Sequence, residues 1–231
     1  MRQALSIETL THGRILVEDA ADDVSARLLV AFHGYGQNAR TILDEASRIP
    51  GIAAWRVASV QALHRFYTRD DQSVVASWMT REDREQAIAD NLAYVDKAVA
   101  TLLAQGSSPS AERPAPSARL VFLGFSQGVA MAYRAALSGA HPADGVIALA
   151  GDIPPELKVR RAADDHEARP WPPVLIGAGW HDKFYGADKI HADVSFLGAR
   201  GVTHEVVRFH GGHEWTEEFR QAAGRWLATI E

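Results

Sequence analysis

The sequence predicts an α/β fold, a mostly parallel, twisted central sheet with helices on both faces. Three observations point there. Short apolar and β-branched runs alternate with longer segments of helical period, the signature of strand–helix–strand crossovers. The runs are short enough for strands and apolar enough to be buried, as a sheet covered on both sides requires. No self-similar period of about 20–50 residues is present, which argues against a repeat architecture. With 231 residues, 47% hydrophobic and 23% charged, the chain is expected to form one domain spanning 1–231 and to need no disulfide or metal staple.

The elements follow in order. Residues 5–10 and 14–18 flank His12-Gly13 and read as an N-terminal β-hairpin. Residues 27–32 (RLLVAF) are a buried strand ending at His33-Gly34. Asn38 is the expected N-cap of a helix that stops before Pro50. Residues 55–60 form the next strand, and a loop containing His64, Phe66, Tyr67 and Trp78 follows it. Residues 82–105 are the clearest helix, because Ile88, Leu92, Val95, Val99 and Leu102 line one face and Gly106 stops it. Residues 107–117 (SSPSAERPAPS) are a surface loop, since the strand–helix alternation resumes beyond them. Strands are expected at 120–124, 146–150, 174–178 and 206–209, and helices at 127–138, 189–197 and 214–229.

Composition narrows the function classes. The absence of cysteine excludes a thiolate nucleophile and a thiolate metal site. A net charge of −5 with no basic block argues against a nucleic-acid partner. No run of about 18 apolar residues is present, so stable membrane insertion is not expected, and the N-terminus lacks a signal-like apolar stretch. The expected location is the cytoplasm. Oligomeric state is not legible.

The chemistry centres on Gly124-Phe125-Ser126-Gln127-Gly128, which follows an apolar strand and opens a helix. That is the setting in which G-x-S-x-G makes a sharp, strained turn and holds a serine hydroxyl clear of the sheet edge. A serine hydroxyl needs an imidazole to take its proton. His213, in His210-Gly211-Gly212-His213-Glu214-Trp215, lies past the last strand, where chain order serine–acid–histidine puts the base. His210 is its rival, and the two glycines favour His213. As a metal pair the two histidines lack a third ligand of suitable spacing, so no metal and no cofactor is expected. Asp182, after residues 173–181, is the favoured orienting acid, and Asp152, one strand earlier, competes with it. The Gln127 amide and the Tyr35 amide, in His33-Gly34-Tyr35-Gly36-Gln37, are the expected oxyanion donors. His33 itself reads as a packed structural residue.

These segments together resemble the phospholipase/carboxylesterase family of α/β-hydrolases, which includes carboxylesterases, lysophospholipases and acyl-protein thioesterases. The resemblance rests on His33-Gly34-x-Gly36, the Trp78 segment, Gly124-Phe125-Ser126-Gln127-Gly128, Gly179-x-x-Asp182 and Gly212-His213-Glu214-Trp215, and covers about residues 27–215. It implies a Ser126–Asp182–His213 triad acting on a small-molecule ester or thioester, with Tyr35 and Gln127 in the oxyanion hole. It also implies Trp78 near the acyl pocket. Two departures stand beside the site: Gln37 where many members carry an acid, and Lys183-Phe184-Tyr185 in place of an apolar–proline pair. A peptidase or lactonase on the same scaffold is the alternative enzyme, and a catalytically silent binding protein the alternative from another class. Residues 154–172 read as a partial lid or a solvated loop.

Overall fold

Apolar runs of five to seven residues become the inner strands because both of their faces are covered. The structure, a computed structural model, describes residues 2–21, 27–106, 119–159 and 169–230. In chain order it contains β1 (Arg14–Glu18), β2 (Arg27–Phe32), α1 (Ala39–Ala46), β3 (Arg56–Gln61), β4 (His64–Tyr67), β5 (Val74–Ser77) and α2 (Arg84–Gly106). Then come β6 (Arg119–Phe125), α3 (Gln127–Ser138), β7 (Gly145–Leu149), α4 (Pro155–Val159), β8 (Val174–Gly179), α5 (Ala187–Ala199), β9 (His204–Phe209) and α6 (Glu217–Leu227). The main sheet runs β1-β3-β2-β6-β7-β8-β9. Every pairing in it is parallel except β1 with β3, where Leu16 faces Ser59.

Alternate residues of each inner strand feed two separate cores. Leu28, Val30 and Phe32 point with Phe122 towards Val95 and Val99 of α2 and Met131 of α3. Leu29 and Ala31 point the other way with Val121 and Leu123, against Ile42 of α1 and Phe219 of α6. The helices start where the chemistry of their caps dictates. Asn38 Oδ1 accepts the Thr41 amide at 3.0 Å to open α1, and Thr216 Oγ1 accepts the Phe219 amide at 3.3 Å to open α6.

Two sequence expectations are corrected. Residues 5–10 do not make the first arm of a hairpin: they run as exposed irregular chain, and the antiparallel partner of β1 is β3. β1 is the edge strand of the sheet, and residues 5–10 do not pair with its outer side; every one of them is exposed, so pairing there would bury no apolar face. The expected loop from His64 to Trp78 instead contains an antiparallel hairpin, with Phe66 facing Val75 in β4–β5. Residues 107–117 lie outside the described residues, as does much of the 154–172 segment. Its first turn is the short helix α4.

The loops that carry the candidate triad and oxyanion residues leave the carboxyl ends of the parallel strands β2, β6, β8 and β9, where open α/β sheets place their sites, whereas Trp78 follows β5 of the small antiparallel hairpin. Among the described residues no helix is long and apolar enough to cross a membrane.

Candidate active site

The strand–turn–helix at β6–α3 is tight because two glycines leave no side chain in the way. A Cβ on Gly124 would lie 2.5 Å from the backbone of Gly128, and one on Gly128 would lie 2.1 Å from the Phe32 carbonyl oxygen. Ser126 between them has φ 54° and ψ −120°, a strained conformation for any residue with a side chain. Its amide donates to the Leu149 carbonyl at 2.9 Å, which fixes the turn to the neighbouring strand. The hydroxyl is thereby held at the sheet edge.

Three loops meet there. His213 Nε2 lies 2.7 Å from Ser126 Oγ, and its Nδ1 lies 2.9 Å from Asp182 Oδ2. The other carboxylate oxygen, Oδ1, accepts the Phe184 and Tyr185 amides at 2.8 and 2.9 Å. Burial pushes the Asp182 pKa up, but the Tyr185 amide, His213 and the Phe184 amide outweigh it and hold the group below its ordinary value. Asp182 is therefore ionised at neutral pH. It accepts from Nδ1, which leaves the Nε2 lone pair for the serine proton. Two rings pack against the imidazole: Phe125 lies 5.1 Å from it and Phe184 stands edge-on at 4.9 Å.

The rivals fall outside this arrangement. His210 faces His181, with ring centroids 6.4 Å apart, and Asp152 lies 3.5 Å from the Lys189 ammonium. The room for the His213 loop comes from β8 rather than from the loop's own glycines. A Cβ on Gly179 would strike the Gly212 and Gly211 carbonyl oxygens at 2.3 and 2.5 Å.

The loop after β2 reaches the nucleophile as expected, since a Cβ on Gly34 would sit 3.3 Å from Ser126 Cβ. Gln37 Oε1 accepts the Gly34 amide at 2.9 Å, and its backbone carbonyl accepts the Ala76 amide at 2.8 Å. Gln37 thus ties the Tyr35 turn both to itself and to β5. Neither the Tyr35 nor the Gln127 amide donates to another group among the described residues. The Gln127 side chain braces the opposite wall, where its Oε1 accepts the Trp78 amide at 2.9 Å and its Nε2 donates to the Met79 carbonyl at 3.1 Å.

Trp78 corrects an expectation. It is wholly buried, its Nε1 donates to the His33 carbonyl at 2.8 Å and its ring stands edge-on to Phe32. It supports the loop from behind and contributes nothing to the wall of the cleft, where Met79 takes its place. The indole finds an apolar bed and a carbonyl acceptor at once, so nothing draws it towards the cleft.

The cleft itself has a volume of about 330 Å³ and runs from Ser126 and His213 along α3. Sequence reasoning missed the charged and thioether part of its walls, Met79, Arg84, Arg134 and Lys189, whereas Tyr185 belongs to the segment it places beside the site. Behind them Asp193 of α5 gathers the stretch after β7 and the loop after β8. Its Oδ2 accepts the Tyr185 hydroxyl at 2.8 Å and the Ile153 amide at 3.1 Å, and Lys158 Nζ lies 2.5 Å from Oδ1. Burial pushes the Tyr185 phenol well above its ordinary pKa, so it stays a donor.

A strained serine between a β-strand and a helix, hydrogen-bonded to a histidine that follows the last strand of a mostly parallel sheet, defines an α/β-hydrolase. The family profile described as Phospholipase/Carboxylesterase matches residues 14–229, and the chain belongs to that family of hydrolases. Solved structures share its fold. Esterase PE8 superposes with a TM-score of 0.72 at 22% identity, covering 96% of this chain and all of that one. A phospholipase/carboxylesterase from Dyadobacter fermentans gives 0.67 at 20% identity, with 96% and 98% covered. Acyl-protein thioesterase 2 from Zea mays gives 0.68 at 18%, with 95% and 99% covered. No curated protein matches the chain significantly by sequence.

Proposed function

We propose that the chain is a serine hydrolase that cleaves carboxylic esters or thioesters of small molecules through an acyl-enzyme. Ser126 Oγ attacks the carbonyl carbon while its proton passes to His213 Nε2. The charge that develops on the carbonyl oxygen is met by the Tyr35 and Gln127 amides. The tetrahedral intermediate collapses, the bond to the alcohol or thiol breaks, and the leaving group takes the proton from Nε2. Water then enters, gives a proton to the same nitrogen and attacks the acyl carbon; the acid departs and Ser126 recovers its proton. Asp182 keeps the ring in the productive tautomer and stabilises the imidazolium that forms.

The observation that carries the reading is the unbroken hydrogen-bonded line Ser126–His213–Asp182, with contacts of 2.7 and 2.9 Å. A fluorophosphonate probe tests it together with hydrolysis of p-nitrophenyl hexanoate. Ser126 is expected to be labelled, and Ser126→Ala to lose roughly 10⁴–10⁶ in kcat with its fold intact. An unlabelled wild type, or a turnover that survives Ser126→Ala, refutes the mechanism, and an unlabelled wild type without turnover favours a binding protein.

A further inference from the structure

The cleft continues past the triad into a second, cationic end. Ser126, Ala130 and Arg134 all line it; Ala130 and Arg134, four apart, share one face of α3, and Ser126 stands just before its first turn. Eight residues of helix carry the cleft about 12 Å from the nucleophile. Arg134 at that end is 3% exposed in its side chain, an uncommon place for a guanidinium. Its Nε and Nη2 both donate to a single Glu156 oxygen, at 2.8 and 2.5 Å. Among the described residues its Nη1 faces one weak acceptor, Met79 Sδ at 3.9 Å. The second Glu156 oxygen lies 4.0 Å from Arg84, so one carboxylate serves two guanidiniums. Lys189 comes in from α5 beside Asp152. Among the described residues at this end of the cleft, the three cations Arg84, Arg134 and Lys189 therefore face the two carboxylates of Glu156 and Asp152, an excess of one positive charge within that group.

Stability does not account for this arrangement. An apolar side chain of similar volume on α3 would avoid the cost of burying the guanidinium. A planar cation with one edge turned to a thioether presents a fork suited to a carboxylate or phosphate. The Met79 side chain is flexible enough to move aside for it.

We propose that this end of the cleft is a subsite for an anionic group carried by the ester substrate, a carboxylate or a phosphate, held by Arg134 Nη1 together with Lys189 and Arg84. The inference rests on the hydrolase reading above and specifies its substrate class: esters or thioesters with an anion at the far end of one arm.

Two matched pairs test it and separate the sources of the anion. Mono-p-nitrophenyl adipate against p-nitrophenyl hexanoate places a carboxylate on the acyl arm. 1-Hexanoylglycerol 3-phosphate against 1-hexanoylglycerol places a phosphate on the alcohol arm. In at least one pair, kcat/KM is expected to favour the anionic member by about 10- to 100-fold at low salt, the worth of a charge-assisted contact. That ratio should fall as salt rises.

The variants read the ratio in opposite directions. Arg134→Met should bring it near unity, and Lys189→Met, at a half-exposed position, should lower it severalfold. Glu156→Gln should raise it, because it removes the carboxylate that competes for Arg134. If Arg134 serves only to tie α4 to α3, Arg134→Met and Glu156→Gln will shift both members of a pair alike and leave the ratio unmoved. If Arg134→Met fails to fold, the Lys189→Met and Glu156→Gln ratios must still move apart. Ratios near unity in both pairs, with brisk turnover of the neutral esters, overturn the subsite and leave the hydrolase standing. Absence of turnover and of fluorophosphonate labelling overturns both.

Discussion

His33 makes the fold acid-sensitive through one proton. Its Nε2 lies 3.1 Å from the Ala62 amide, which can only donate, and its Nδ1 lies 2.7 Å from the Gly34 carbonyl, which can only accept. The ring must therefore be neutral, with its hydrogen on Nδ1. Burial agrees with this and lowers the pKa from 6.5 to about 4. A histidine whose folded pKa is depressed stabilises the fold fully above its unfolded pKa, and that contribution is lost as pH falls from 6.5 towards 4. Between pH 7 and 5 the loss comes to about 2 kcal/mol, and at pH 4 to about 3 kcal/mol. Urea unfolding of wild type and of His33→Gln at pH 7 and pH 5 isolates it, because the remaining titrating groups are common to both proteins. The wild type should lose about 2 kcal/mol more than the variant over that interval. Equal losses in the two proteins would refute the assignment of His33 as a buried neutral ring.

Two further outcomes follow from the site. Asp182→Asn turns an amide towards His213 Nδ1 and favours the wrong tautomer, so kcat for p-nitrophenyl hexanoate should drop by up to ~10⁴, whereas Asp152→Asn should stay within about tenfold; steady-state kinetics on both variants decides between the two carboxylates. Ser126→Gly releases the strained backbone at φ 54°. It should raise thermal stability by about 1 kcal/mol, or about 2–4 °C by calorimetry, while abolishing turnover.

What was legible in the sequence was what depends on local pattern. The inner strands are apolar on both faces, and β6 announces itself as Leu120-Val121-Phe122-Leu123 before the glycine-flanked serine. His213 and Asp182 were legible because chain order and strand ends constrain them. The β4–β5 hairpin was not, because three of the four β4 residues are exposed and leave no buried alternation to read. Nor was the placement of Trp78, whose burial depends on a carbonyl 45 residues away. Arg134 had a faint signal: it is a lone charge in Val129-Ala130-Met131-Ala132-Tyr133-Arg134-Ala135-Ala136-Leu137, a stretch whose helix is buried nearly all round. Its meaning required Glu156 and Met79, which sequence does not bring beside it. Asp193 was hidden for the same reason, since Ile153 and Lys158 reach it from the stretch after β7 and Tyr185 from the loop after β8.

That shared carboxylate sets terms for anyone who wants to redesign the pocket. Ile153 and Lys158 lie after β7 and Tyr185 after β8, yet each answers to Asp193, and Tyr185 also donates its amide to Asp182. A mutation that enlarges the cleft at Tyr185 strips a donor from Asp193, loosens the Ile153 loop and disturbs the residue orienting His213. Selectivity and turnover are thus mechanically joined on this wall, and single-site libraries there will return slow enzymes more often than retuned ones. Residues 153, 185 and 193 need to be varied together. The Met79 side, where a flexible thioether borders the cleft, is the wall that accepts change one residue at a time.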